Sequence, residues 1–175
     1  SLPSVCVDGP FESGTDRIAH WVRHANLSDD VLIVNIQGDE PVVSMKNVRS
    51  LINGMQQCSA PVGTLYHEVL SEDADPNKVK VVLNHANEAL YFSRHSIPYS
   101  RDKTPVTLKY HVGVYAYRAS WLKQWHELPL SLLSNIESLE QLRILEAGFK
   151  VVCLPCVEPH LHGVDTSEDL TNLEK

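Results

Sequence analysis

No apolar run in this 175-residue sequence approaches the roughly 20 residues that a membrane-spanning helix needs, so no membrane insertion is expected. The opening residues, Ser1-Leu2-Pro3-Ser4-Val5, lack the basic and apolar regions of a secretory signal. They also lack Met and run at once into a strand candidate, so we expect residues upstream of Ser1. Positive charge is in deficit: 15 Lys and Arg against 22 Asp and Glu give a formal charge of −7. That argues against a generic nucleic-acid binder, which needs a basic face, but a local Arg and Lys cluster can still hold a small anion. There is no G-x-S-x-G elbow, no Walker A loop and no G-x-G-x-x-G fingerprint. Repeats, low-complexity tracts and flexible linkers are absent too, so residues 1–175 read as a single, N-terminally incomplete domain.

Cysteine is sparse. Of the four, Cys6 and Cys58 are isolated and read as small apolar residues. Cys153 and Cys156, followed by His160 and His162, have a spacing that can bind zinc. However, Cys153 ends a strand-like run and Pro155 lies between the thiols. Reduced thiols in a cytoplasmic protein are the favoured reading.

What is present is alternation. Val31 to Gln37 is a β-type apolar run, read as a buried strand of a parallel sheet, and Gly38-Asp39-Glu40-Pro41 ends it. Val5 to Val7 predicts a short strand. Thr15 to Asn26 predicts a helix whose inner face is Ile18, Trp21, Val22 and Ala25. Ser44 can cap a helix to about Gln56. Val62 to Leu70, Lys78 to Leu83, Ala89 to Phe92, Tyr110 to Tyr117 and Lys150 to Leu154 read as strands, the second and third joined by the turn Asn84-His85-Ala86-Asn87. Arg118 to Glu127 and Ser134 to Ala147 read as helices, with Gly148 stopping the latter and Thr166 capping a last one. The order fits an α/β sheet, mostly parallel, with a hairpin-like insertion.

Several groups carry possible chemistry. In an open α/β sheet ligands bind beyond the carboxyl ends of the strands, so Asp39 reads either as a Mg²⁺ ligand beside phosphates or as a solvated turn. Asp165, in Gly163-Val164-Asp165-Thr166, either joins it at one sheet edge or merely precedes a capped helix. Two carboxylates from separate strand ends holding Mg²⁺ would suit nucleotidyl transfer. Ser13 and Arg17 open a helix whose free N–H groups can meet an anion, and Ser13 or Thr15 can equally be a plain cap. Arg94 ends a strand and can clamp a carboxylate or form a surface ion pair. His111 and Tyr115 share a face four residues apart, and His111 reads as a donor to sugar or phosphate or as a satisfied core histidine. Ile136, Leu139, Leu142 and Ile144 to Leu145 form an inward helix face. Glu140 and Gln141 are adjacent, point to different faces and by spacing alone are solvated.

Together the segments Asn35-Ile36-Gln37-Gly38-Asp39-Glu40-Pro41, Ala89-Leu90-Tyr91-Phe92-Ser93-Arg94, Ile97-Pro98, His111-Val112-Gly113-Val114-Tyr115, Glu137-Ser138-Leu139-Glu140-Gln141-Leu142-Arg143 and Gly163-Val164-Asp165-Thr166 resemble the 3-deoxy-manno-octulosonate (Kdo) cytidylyltransferases from about Ser13 onward. The resemblance implies a three-layer α/β/α sandwich of the nucleotide-diphosphosugar-transferase type, a homodimer with a hairpin-like dimerisation insertion, and transfer of CMP from CTP to Kdo for lipopolysaccharide synthesis. It implies Asp39 and Asp165 as Mg²⁺ ligands, Ser13 and Arg17 on the nucleotide side, and Gln37, Arg94, His111, Tyr115, Glu140 and Gln141 on the sugar side. Gln37, Asp39 and Asp165 are the catalytic candidates. Subunit contacts are expected from Tyr99 to Lys109 and Leu133 to Glu146. The sequence departs from the family where Phe11-Glu12 replaces His-Gln and Leu132-Leu133-Ser134 replaces Pro-Leu-Glu, and it lacks the first strand and its phosphate loop. A related ulosonic acid as substrate (amino-Kdo, sialic acid), or a non-catalytic fragment that binds sugar and dimerises, are the alternatives.

Overall fold

The computed structural model describes residues 4–38, 40, 43–71 and 75–160. Helix α1 (Gly14–His24) starts where Ser13 accepts the Asp16 N–H, and α2 (Met45–Gln56) starts where Ser44 accepts the Lys46 N–H, each serine satisfying a donor the helix itself leaves open. Strands β1 (Leu32–Ile36), β2 (Val62–Ser71), β3 (Lys80–Leu83), β4 (Ala89–Ser93), β5 (Val106–Arg118) and β6 (Val151–Pro155) form one sheet. Its order is β4-β3-β5-β2-β6, and β1 also pairs with β5. Short helices α3 (Ala119–Leu122), α4 (Leu132–Glu137) and α5 (Gln141–Glu146) and a 3₁₀ turn (Trp125–Glu127) complete the described elements.

The sheet is mixed, which corrects the expectation of a mostly parallel one. Among the described residues only β2 and β6 pair in parallel; β1, β2 and β3 all run antiparallel to β5. Strand β5 is the antiparallel partner in three of these pairings. Its 13 residues return through the middle of the sheet and pair with β2 along one edge, while β3 and β1 share the other. β1 is also less buried than a central strand, with Ile36 exposed, since β5 is its one partner among the described residues.

Alternation along β5 divides the core. Val112, Val114 and Ala116 pack with Val48, Leu51 and Met55 of α2, whereas Tyr115 and Tyr117 pack with Ala19 and Val22 of α1, Trp121 of α3 and Leu142 and Ile144 of α5. Helices therefore cover both faces of the sheet. Cys153 lies in the α1-side core and Cys156 against the α2-side core, so the two thiols of the C-x-x-C face opposite ways. Burial pushes Cys153 up to about 12, and burial with the nearby Glu40 pushes Cys156 up to about 11.

Two local expectations are corrected. Val5 to Val7 is not a strand, and Val5 is exposed. The helix expected over Ser134 to Ala147 is two helices. Ser138 adopts the left-handed conformation (φ 52°), and the Leu139 N–H reaches back to the Ser134 carbonyl, a left-handed helix stop that a glycine more often supplies. The break turns Ile136 outward to 70 % exposure, while Leu139, Leu142 and Ile144 stay buried. The expected helix capped by Thr166 lies outside the described residues.

Candidate active site

Because β1 and β3 share one edge of β5, residues 111–113 lie between them. There the His111 N–H donates to the Val79 carbonyl (2.8 Å), and the Gly113 N–H donates to Glu40 Oε1 (2.9 Å) instead of to a strand. A cleft of about 1040 Å³ opens at this point. Ser13, Gln37, Arg94, His111, Tyr115, Glu140 and Gln141 all line it, although they come from α1, the end of β1, the end of β4, β5 and the α4–α5 junction. Arg17 does not. It is exposed, and its guanidinium lies 5.6 Å from the centre of the Phe11 ring. Asp39 and Asp165 lie outside the described residues, but Gln37 and Glu40, on either side of position 39, are both on the cleft wall.

Arg94 is held rather than free. Its Nε donates to the Glu137 carbonyl (2.7 Å), Nη1 to Pro76 (3.0 Å) and Nη2 to Ser138 (3.2 Å). The Glu137 carboxylate fixes the backbone beneath it, accepting from the Arg94 N–H (2.9 Å) and the Ser93 hydroxyl (2.8 Å). The left-handed Ser138 thus aims two carbonyls at Arg94. Among the described residues no carboxylate pairs with the guanidinium, whose remaining N–H donors are suited to an anionic ligand.

His111 is fixed by a bulge. The pairing of β2 with β5 jumps from Thr64 opposite Tyr115 to Leu65 opposite Val112, which brings the Thr64 hydroxyl against the Val114 carbonyl (2.8 Å), the Val112 carbonyl (3.2 Å) and His111 Nε2 (3.0 Å). Carbonyls only accept, so the single Thr64 proton goes to them and His111 Nε2 donates to Thr64. In that tautomer Nδ1 is an acceptor. Burial pushes the imidazole down to about 4 against the pull of Glu40. It is neutral at physiological pH, with its ring centre 5.3 Å from that of Tyr115.

Glu140 is half-buried and Gln141 is buried, so neither is the fully solvated residue that spacing alone suggests. Glu140 Oε1 accepts from the Thr15 hydroxyl (2.6 Å) while Oε2 is buried with no hydrogen-bond partner among the described residues. Glu140 immediately precedes α5 and Gln141 is its first residue, and both border the cleft. Sequence reasoning missed Thr15, Glu40, Thr64 and Glu137. Glu40 stood in plain view beside Asp39, but nothing local says that it turns toward Gly113. Its Oε2 also lies 3.1 Å from His160 Nε2. Burial disfavours its charge, yet His160, the Gly113 N–H and His111 together hold the carboxyl below its usual value.

Cations on the cleft wall are few. Lys78 pairs with Asp75 (3.6 Å), and Arg143 stacks on Trp125 (4.6 Å) while donating to the Leu128 and Pro129 carbonyls. Among the described residues no group of three His, Cys, Asp or Glu is arranged to hold a metal.

The fold so described is a mixed sheet with helices on both faces and a polar cleft beside β5. A Bacillus anthracis protein assigned as a glucose-1-phosphate thymidylyltransferase shares it at TM-score 0.58 and 14% identity, covering 94% of this chain and 61% of that one. Closer likenesses identify the kind. The family described as Cytidylyltransferase matches residues 3–151. The 3-deoxy-manno-octulosonate cytidylyltransferase of Stenotrophomonas maltophilia is 43% identical over 175 residues, covering 93% of this chain and 67% of the relative. That of Photobacterium profundum is 42% identical over 168 residues, covering 91% and 68%. The structure of a CMP:2-keto-3-deoxy-manno-octonic acid synthetase complexed with CTP superposes at TM-score 0.83 with 41% identity, covering 93% of this chain and 66% of that one. The chain belongs to the 3-deoxy-manno-octulosonate cytidylyltransferase family. It spans about two thirds of the length of these relatives.

Proposed function

We propose that this chain is the greater part of a Mg²⁺-dependent enzyme that transfers CMP from CTP to Kdo, giving CMP-Kdo and pyrophosphate for lipopolysaccharide assembly in the cytoplasm. The observation that carries the reading is the convergence of Gln37, Arg94, His111, Tyr115, Glu140 and Gln141 on one cleft from separate parts of the chain. Kdo is a polyhydroxylated acid. Arg94, with donors to spare, suits its carboxylate. Neutral His111, Gln37, Gln141 and Glu140 Oε2 suit its hydroxyls. The sugar's anomeric oxygen attacks the α-phosphorus of CTP, the bond to the β-phosphate oxygen breaks, and the attacking hydroxyl loses its proton. No covalent nucleophile is required of the protein, whose residues orient the sugar for in-line attack.

Ser13 is assigned to the nucleotide side, and Arg17 enters that site only by leaving its stack on Phe11. Asp39 and Asp165 offer the hard oxygen donors that Mg²⁺ prefers, and the metal would supply charge neutralisation at the phosphates. We assign the finer architecture as the α/β/α sandwich of this family, assembled as a dimer. The scarcity of uncommitted cations on the described wall favours, as second reading, a chain that binds sugar without turning it over.

The test is pyrophosphate release from CTP plus Kdo with Mg²⁺, for this chain and for one extended to the full length of its relatives. Release from the extended protein, abolished by chelator and cut by orders of magnitude in Asp39→Asn, is the expected result. Wild-type rates in Asp39→Asn would remove the metal assignment. Calorimetric Kdo binding without release from either protein would establish the second reading, and neither binding nor release would overturn both.

A further inference from the structure

We propose that Thr15 is a positioning residue that ties the nucleotide side of the cleft to the sugar side by aiming Glu140, an inference that rests on the sugar-side assignment of Glu140 above. Thr15 lies in the first turn of α1, two residues after Ser13, and is 1% exposed. Its hydroxyl sits 2.6 Å from Glu140 Oε1 and 2.9 Å from the Tyr117 hydroxyl. A carboxylate oxygen only accepts, so the one Thr15 proton goes to Glu140, and Tyr117 donates to Thr15. The direction of the chain Tyr117 to Thr15 to Glu140 is thereby fixed. Burial keeps the Tyr117 phenol protonated, so this donor does not fail at any ordinary pH.

The consequence falls on the other carboxylate oxygen. With Oε1 pinned, Oε2 is buried and has no hydrogen-bond partner among the described residues, on a residue of the cleft wall. A buried acceptor in that state is costly unless something donates to it, and a substrate hydroxyl is the matching donor. Nothing near Glu140 in sequence does the pinning, because 125 residues separate it from Thr15. Tyr117 is itself fully buried, stacked on Tyr115 and Trp121 with ring centres 5.7 Å away in each case. Glu140 is therefore referenced to the rigid β5 and to the same helical turn that begins at Ser13.

The test compares Thr15→Val, which keeps the shape but not the proton, with Thr15→Ser, which keeps the proton, in the full-length protein. Thr15→Val is expected to raise the KM for Kdo about tenfold, with kcat and the KM for CTP within about twofold of wild type. Thr15→Ser is expected to restore the sugar KM. If Thr15→Val fails to fold, Thr15→Cys, a weaker donor of similar size, replaces it with the same expected split. An unchanged Kdo KM, an equal rise in the CTP KM, or a serine variant no better than valine would overturn the positioning role alone. An inactive wild-type protein would overturn the Kdo reading and this inference with it.

Discussion

His111 shows how one side chain is specified from several directions. Thr64 fixes its tautomer, Phe92 meets it edge-on at 5.3 Å, and burial keeps it neutral. Its folded value of about 4 lies below the ordinary 6.5. Between those values the unfolded chain takes up the proton more readily than the folded one, so stability rises with pH there. The contribution of His111 is thus complete above about pH 6.5 and is lost progressively as pH falls toward 4. Urea melts at pH 7 and pH 4.5 should show a smaller acid loss in His111→Gln, which retains a donor for Thr64, than in wild type. An equal loss in both would place the acid sensitivity elsewhere.

At the scale of elements, strand β5 and helix α2 each make a fit that can be broken on its own. Gly113 lies at the bulge, and a Cβ there would meet Gln37 Oε1 at 3.0 Å and Glu40 Oε1 at 3.1 Å. Gly113→Ala should displace both side chains, lowering kcat/KM about tenfold or more while the melting temperature changes by only a few degrees. Unchanged kinetics would mean that Gln37 does not need its observed position. Asn47 of α2 is fully buried and tethers the segment after β6: its Oδ1 accepts from the Val157 (2.8 Å) and Glu158 (2.9 Å) N–H groups, and its Nδ2 donates to the Glu158 carbonyl (3.2 Å). Asn47→Ala leaves those groups unpaired and should cost about 2 kcal/mol in urea denaturation. Asn47→Asp keeps the acceptor but sets a carboxylate oxygen against the Glu158 carbonyl in a buried site, and should cost at least as much. The same tether fixes the approach to His160 and through it Glu40, so activity should fall alongside stability in the alanine variant.

For the whole molecule, several large apolar side chains are exposed. Leu132 and Ile136 of α4 and Tyr99 of the excursion before β5 are 66%, 70% and 78% exposed. Dimerisation through these segments is part of the proposed function. Ile136→Glu should shift the full-length protein toward monomer in sedimentation velocity; an unaltered dimer would move the interface off α4.

The sequence by itself determined the placement of α1, α2 and the strands β1 to β4 and β6 to within a few residues. Apolar periodicity and serine caps are local signals, written within one or two turns of the chain. The block order also sufficed to name the family. It could not determine that β5 runs antiparallel to β1, since a strand's direction relative to its neighbours is set by connections rather than by its own pattern. Nor could it foresee the break at Ser138, where a non-glycine residue takes a left-handed conformation that a local reading assigns to helix. Tertiary structure alone decided which carboxylates serve the cleft. Glu40 meets Gly113 across 73 residues and Glu140 meets Thr15 across 125, and donors that far away in the chain are brought to a carboxylate only by the fold.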